Sequence, residues 1–172
     1  MDIREHQRVL RERYESGDEA LQTITVRSGA SGLDDPLHCV QRPDSVPTVA
    51  WRSGAHPAVG GEGDAPCSVD LLLAALAACQ ETTLRLVAAN HGIELAAVDV
   101  VARADWDPRG TLGMGREYPI GLTGIRCATT VRLAADIDEE RAARFLRSAE
   151  RYCVVLSTLR EAPPVEATLT II

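Results

Sequence analysis

The residues of this chain with the most chemistry in them are its five cysteines, Cys39, Cys67, Cys79, Cys127 and Cys153. Their number is odd and no C-x-x-C spacing occurs, which argues against a disulfide framework, a zinc ribbon or a thioredoxin-type motif. Cys79 stands out. It closes the apolar run of residues 71–78, and the polar turn Gln80, Glu81, Thr82 and Thr83 follows it. Cys67 cannot pair with it while both lie along one helix. At ~1.5 Å per residue the two are ~18 Å apart, and a disulfide needs Cα atoms within ~7 Å. Cys153 is a better neighbour, because it recurs at helical spacing with Ala142, Phe145, Leu146, Ala149 and Leu156. Two apolar helix faces in one small core must pack together, so Cys79 and Cys153 can meet.

A thiol pair of this kind could reduce a peroxide. One thiolate attacks the O–O bond, donors or a cation keep it ionised, and a second thiol condenses with the sulfenic acid. The competing reading is that both are inert core residues, since a free cysteine packs like a small hydrophobe. A cysteine hydrolase would need a histidine beside the nucleophile. His91 ends the same helix too far along its axis, and His56 lies in a glycine-rich loop. Zinc ligation by His38, Cys39, His56 and Cys67 lacks a finger spacing. The loop of residues 53–66, with Gly54, Gly60, Gly61 and Gly63, has neither the Gly-Lys-Ser/Thr ending of a P-loop nor a dinucleotide fingerprint. No metal and no cofactor is therefore expected.

The elements that must position these thiols read as α+β. Residues 2–16 are a short charged helix with the narrow apolar stripe Ile3, Leu10 and Tyr14, enough to dock on a surface. Residues 21–27 alternate as a strand, residues 28–32 are turn chemistry, and residues 37–41 and 46–52 are weaker strands; together residues 20–52 form an antiparallel meander. Residues 66–92 form a central helix, apolar on nearly every side and so buried all round. Ser68 suits its N-cap, Asp70 its first turn, and Gly92 its left-handed end. Residues 98–106 and 125–133 alternate as half-buried strands, Cys127 on the apolar face of the second, joined by a long connection. Asp138 caps a second, amphipathic helix that carries Cys153 on its buried face. Pro163-Pro164 stops it, and residues 165–172 close the chain as a strand.

The composition suits one domain over residues 1–172, with the core in residues 66–172. Hydrophobic residues make up 45% and aromatics 3%, so the core is built from Leu, Val, Ile and Ala. A net charge of -7 argues against nucleic acid, whose phosphates demand basic patches, and gives no sign of a membrane partner. Residues 2–16 are too charged for a signal peptide. No run approaches the ~20 apolar residues of a membrane span. The expected location is the cytoplasm.

The motifs Gly60-Gly61-Glu62-Gly63 and Leu71-Leu72-Leu73-Ala74-Ala75-Leu76-Ala77-Ala78-Cys79 with Thr82 or Thr83 resemble the central helix of the OsmC/Ohr family of osmotically induced and organic hydroperoxide resistance proteins. Asp107-Pro108-Arg109-Gly110, Gly124-Ile125-Arg126 and Tyr152-Cys153-Val154-Val155 follow in the family's order, so the likeness covers roughly residues 50–172. The resemblance implies an intertwined α+β homodimer with its sites at the interface. It implies a thiol-dependent peroxidase for small, preferably organic, hydroperoxides, in which Cys79 attacks and Cys153 resolves. The disulfide would be reduced by a dithiol, a lipoylated protein in some members. Where well-studied members carry Asn-Pro-Glu, this chain has Cys67-Ser68-Val69. Asp70 and Glu62 are the candidates to stand in for that acid, and they join Cys67 and Thr83 as expected ligand-site residues. The activating arginine is expected from the amino-terminal strands, Arg52 ahead of Arg27 because it borders the glycine loop. The missing acid motivates the alternative of a non-enzymatic protein of the same fold that binds a small apolar ligand at the dimer interface.

Overall fold

The computed structural model describes residues 2–29 and 32–171. The chain forms two compact units, Met1–Ala74 with Ala102–Cys127, and Ala75–Val101 with Ala128–Ile172.

In the first unit, helix α1 (Ile3–Glu15) is capped by Asp2, whose carboxylate accepts from Arg4 N–H at 3.0 Å. Arg8 reaches both Glu5 and Glu12 along its surface. No residue of α1 is fully buried; Ile3 and Leu10 of its apolar stripe are half-buried and Tyr14 is exposed. Strands β1 (Val26–Gly29), β2 (His38–Pro43) and β3 (Trp51–Gly54) form the expected antiparallel meander, with Val26 opposite Pro43 and His38 opposite Gly54. Its edges differ from expectation. Residues 21–25 lie outside the strand, although Thr25 O accepts from Asp44 N–H at 3.0 Å, and Leu21 and Ile24 are exposed. Ser28 and Gly29 belong to β1, while the Ala30 and Ser31 of the expected turn lie outside the described residues. Residues 46–50 turn instead of pairing, because Val46 N–H is held by Pro43 O and Val49 N–H by Val46 O. After β3 comes a 3-10 turn at Pro57–Val59. Gly61 follows, packed so closely that a Cβ there would lie 1.7 Å from Ala55 O.

Helix α2 (Ser68–His91) is the long central helix. Its N-cap is Cys67 and not Ser68: Asp70 accepts from Cys67 N–H at 2.8 Å, the returning half of a capping box. It ends as expected. Gly92 takes φ +61°, Gly92 N–H bonds Ala89 O, and Ile93 N–H bonds Ala88 O, a Schellman closure. The helix is not buried all round. Only Leu76, Gln80, Leu84, Val87 and Ala88 are buried, a single stripe, while Leu72, Ala74, Ala75 and Ala78 are exposed in the chain alone. By length and composition it could cross a membrane, a test that the core helices of folded proteins also pass.

The core of the second unit lies on that stripe. Leu84, Val87, Ala88 and Ile93 pack with Phe145 and Ala149 of helix α4 (Glu139–Arg151), and Leu95, Val98, Val131 and Leu133 close the cluster. The last four come from β4 (Leu95–Asp105) and β5 (Gly124–Leu133), which form a two-stranded sheet. Between these strands, in the first unit, lies the short helix α3 (Pro108–Thr111), capped by Asp107. Asp138 caps α4 as expected, accepting from Arg141 N–H at 2.8 Å. The guanidinium of Arg141 then donates to His91 O at 2.9 Å, tying α4 to the end of α2.

Two further expectations are corrected. Helix α4 stops at Arg151, and Cys153 is the N-cap of a separate helix, α5 (Val154–Arg160). The apolar spacing continues through Leu156 because the break costs only two residues and nearly preserves the helical phase. The closing strand does not form over residues 165–171, and Ile172 lies outside the described residues. A strand is made by ladder partners, and this segment finds none in its own unit, so Val165, Leu169 and Ile171 stay exposed.

Phe145 is 1% exposed at the centre of the second unit's core. Phe145→Ala is expected to cost about 3–5 kcal/mol, read as a lowered midpoint in denaturant unfolding followed by circular dichroism.

Candidate active site

The central stripe of α2 fixes where its neighbouring face points. Cys79 lies beside Gln80 of the stripe and is half-buried, with Thr83 one turn further on, its Oγ1 4.0 Å from the Cys79 Sγ. Cys153 is fully buried, with 0% exposure. Its backbone is extended, φ -76° and ψ 102°, between the end of α4 and the start of α5. Cys79 and Cys153 lie near enough to shift each other's ionisation, and the main-chain N–H groups of Val154 and Val155 favour the ionised form of Cys79. These N–H groups open α5 and have no partner within that helix. A thiolate there meets the positive end of a helix, an environment that favours the ionised form.

The two thiols are polarised in opposite directions. Burial pushes Cys79 up, but the N–H of Val155, the Cys153 side chain, the Thr83 hydroxyl and the N–H of Val154 outweigh it, so its pKa lies below the ordinary thiol value. Burial pushes Cys153 up, and the charge developing on Cys79 adds to that. Cys79 is thus the more acidic thiol of the pair and Cys153 the less acidic one. The arrangement can perform nucleophilic attack at Cys79 followed by condensation with Cys153. Among the described residues no disulfide is present.

The other expected residues fall into the first unit, apart from Thr83. Arg52 on β3 donates to Asp64 Oδ2 at 2.8 Å, and Arg27 pairs with Asp44 at 2.9 Å. Asp70 is engaged as the cap of α2. Glu62 is exposed, and its carboxylate lies in a cluster with His38 and Asp64. His38 was considered for ligation only together with cysteines, yet its ring sits between two carboxylates, Asp35 at 2.8 Å from Nδ1 and Asp64 at 2.9 Å from Nε2. Asp64 and Asp35 hold the imidazole above its usual pKa, and His38 and Arg52 hold Asp64 down to about 2.

Cys67 and Asp70 also line a cavity of about 510 Å³ with Leu73, Trp106, Ile120 and Leu122. His56 meets the Trp106 ring edge-on there, at 5.4 Å between centroids. Sequence reasoning missed three features: the amide donors of Val154 and Val155, the His38 cluster and this cavity. The Asp35-x-x-His38 spacing was the one local signal for the cluster. The donors and the cavity depend on backbone breaks that no spacing reveals.

Comparison with known proteins places these features. Residues 61–168 match the family model described as OsmC-like protein. None of the curated proteins matches the chain. Among solved structures it is similar to an OsmC-like protein from Mycoplasma pneumoniae, at 16% identity over 82% of this chain and 89% of that one, with a TM-score of 0.64. It is also similar to an organic hydroperoxide resistance protein OsmC from Legionella pneumophila, at 19% identity over 83% and 93%, TM-score 0.60. A third is an organic hydroperoxide resistance protein from Elizabethkingia anophelis, at 16% identity over 84% and 92%, TM-score 0.61. At these identities the structures speak for a shared fold, and the family match covers more than half the sequence: the chain belongs to the OsmC-like family.

Proposed function

We propose that this protein is a thiol-dependent peroxidase that reduces organic hydroperoxides through Cys79 and Cys153. The observation that carries the reading is the opposite shift of two neighbouring thiols, the half-buried Cys79 below and the buried Cys153 above the ordinary value. The family and the hydroperoxide-resistance relatives support a peroxide-related role.

In the first step the Cys79 thiolate attacks the peroxide. An S–O bond forms, the O–O bond breaks, and the alkoxide takes a proton to leave as alcohol; the product is Cys79 sulfenic acid. In the second step Cys153 attacks the Cys79 sulfur, water leaves, and a disulfide remains. A dithiol reductant, a lipoylated protein by analogy with the family, returns both thiols to the reduced state and becomes a disulfide itself. Arg52 is the proposed cationic contributor, on the family's pattern, and Thr83, whose Oγ1 lies 4.0 Å from the Cys79 sulfur, a wall of the site. The working form is proposed to be a homodimer. The exposed apolar positions Leu72, Ala75 and Ala78 of α2 and the segments outside the strands around Ile24 and Leu169 are the surfaces a second copy would cover.

The cavity lined by Cys67, Asp70 and Trp106 favours a second reading, a non-enzymatic protein that holds a small apolar ligand. One equivalent of tert-butyl hydroperoxide separates the two. The peroxidase loses two protons by mass, with Cys79 linked to Cys153 in the peptide map; a pure binder stays reduced.

Three outcomes are expected. Turnover of tert-butyl or cumene hydroperoxide with a dithiol falls to the blank rate in Cys79→Ser, and full turnover in that variant sinks the assignment. Iodoacetamide alkylates Cys79 at a pH below that of an ordinary thiol, and faster than Cys153, when the two modified peptides are followed by mass spectrometry across pH. Sedimentation velocity gives a dimer, and a variant ending at Pro163 is expected to shift toward monomer.

A further inference from the structure

We propose that His38, Glu62 and Asp64 form a binding site for a divalent first-row metal ion of the zinc class. One nitrogen and two carboxylate oxygens of these residues lie within 4.8 Å of one another, a donor set that suits such an ion. The site does not depend on the thiol chemistry proposed above.

Three features go beyond a chance meeting of acids. The first is the ring's setting. The His38 side chain is only 10% exposed, and its Nδ1 faces Asp35 at 2.8 Å. A ligating imidazole typically donates its second N–H to a carboxylate in this way, which fixes the tautomer and turns the other nitrogen toward the metal. His38 Nε2 faces Asp64 Oδ1 at 2.9 Å, where the ion would take the place of the proton. The second is the orientation of Asp64. Arg52 holds Oδ2 at 2.8 Å and leaves Oδ1 turned to the histidine, so His38 and Asp64 each have an outer partner. The third is space. Gly54 stands opposite His38 in the sheet, and a Cβ there would come within 3.0 Å of His38 Cδ2 and 3.3 Å of Nε2. Any larger residue there would press the ring aside by a few tenths of an ångström.

Charge points the same way. Asp35, Glu62 and Asp64 place three carboxylates against the one guanidinium of Arg52. A divalent cation would balance the remainder. Glu62 and Asp64 lie in the loop after the 3-10 turn, and His38 and Arg52 lie on β2 and β3, so the ion would join the loop to the sheet.

The test uses the full chain with Cys79→Ser and Cys153→Ser, which removes the paired thiols as competing zinc ligands. Calorimetric titration with Zn²⁺ is expected to find one ion per chain at this site, and Ca²⁺, which disfavours imidazole, is expected to bind far more weakly. Glu62→Gln, at an exposed position, is expected to keep the fold and weaken Zn²⁺ binding at least about tenfold; Asp35→Asn should weaken it about 10–100-fold. The Co²⁺-loaded protein should give a visible spectrum without thiolate charge-transfer bands. Unchanged Zn²⁺ affinity in Glu62→Gln, equal affinity for Ca²⁺, thiolate bands with Co²⁺, or no binding at millimolar Zn²⁺ would each overturn the proposal.

Discussion

The structure of the second unit depends on one packed stripe. Leu84 and Ala88 of α2 pack in one cluster with Phe145 and Ala149 of α4, and α4 ends two residues beyond Ala149, at Arg151. Because α4 ends there, the chain opens α5 after Cys153 with N–H groups that have no partner within the helix and act on Cys79. A continuous helix would have spent those donors on its own carbonyls. The main-chain part of the electrostatics at Cys79 therefore follows from the break. The donors that favour an ionised Cys79 include the main-chain N–H groups of Val154 and Val155, which among single substitutions only proline removes.

Much of this was legible in the sequence. Asp138, Gly92 and the alternation in residues 125–133 are local signals, and each acts through its nearest neighbours in the chain. The Cys79–Cys153 meeting was legible because both residues sit on apolar faces of helices that have only one core to share. What was not legible has a common physical cause. Position 153 keeps the helical phase across a break, so periodicity cannot distinguish one helix from two. Ser68 is a better capping residue than Cys67 by type, yet the carboxylate of Asp70 reaches Cys67 N–H and sets the cap one residue earlier. Residues 165–171 have the strand pattern and lack a strand's partner, and a pattern alone supplies no ladder.

Asp70 and Glu62 illustrate how a resemblance meets the particular chain. Both were candidates to replace the acid missing at Val69. In the structure Asp70 is held by the cap of α2, and Glu62 faces a histidine–aspartate pair. Each acid already has a local electrostatic task within the first unit. The position where this chain departs from its relatives is thus one where neighbouring acids have taken up other duties.

The unequal exposure of the two sulfurs has a consequence for the return half of the proposed cycle. In a Cys79–Cys153 disulfide the sulfur of Cys79 is the more accessible one, since Cys153 has no exposed surface. An incoming dithiol would attack Cys79 and expel Cys153 as the leaving thiolate. Leaving groups depart faster when their pKa is low, and burial holds that of Cys153 high. The asymmetry that makes oxidation easy therefore sets a kinetic threshold on re-reduction, and it favours a reductant whose second thiol closes quickly into a ring over any monothiol of the same strength.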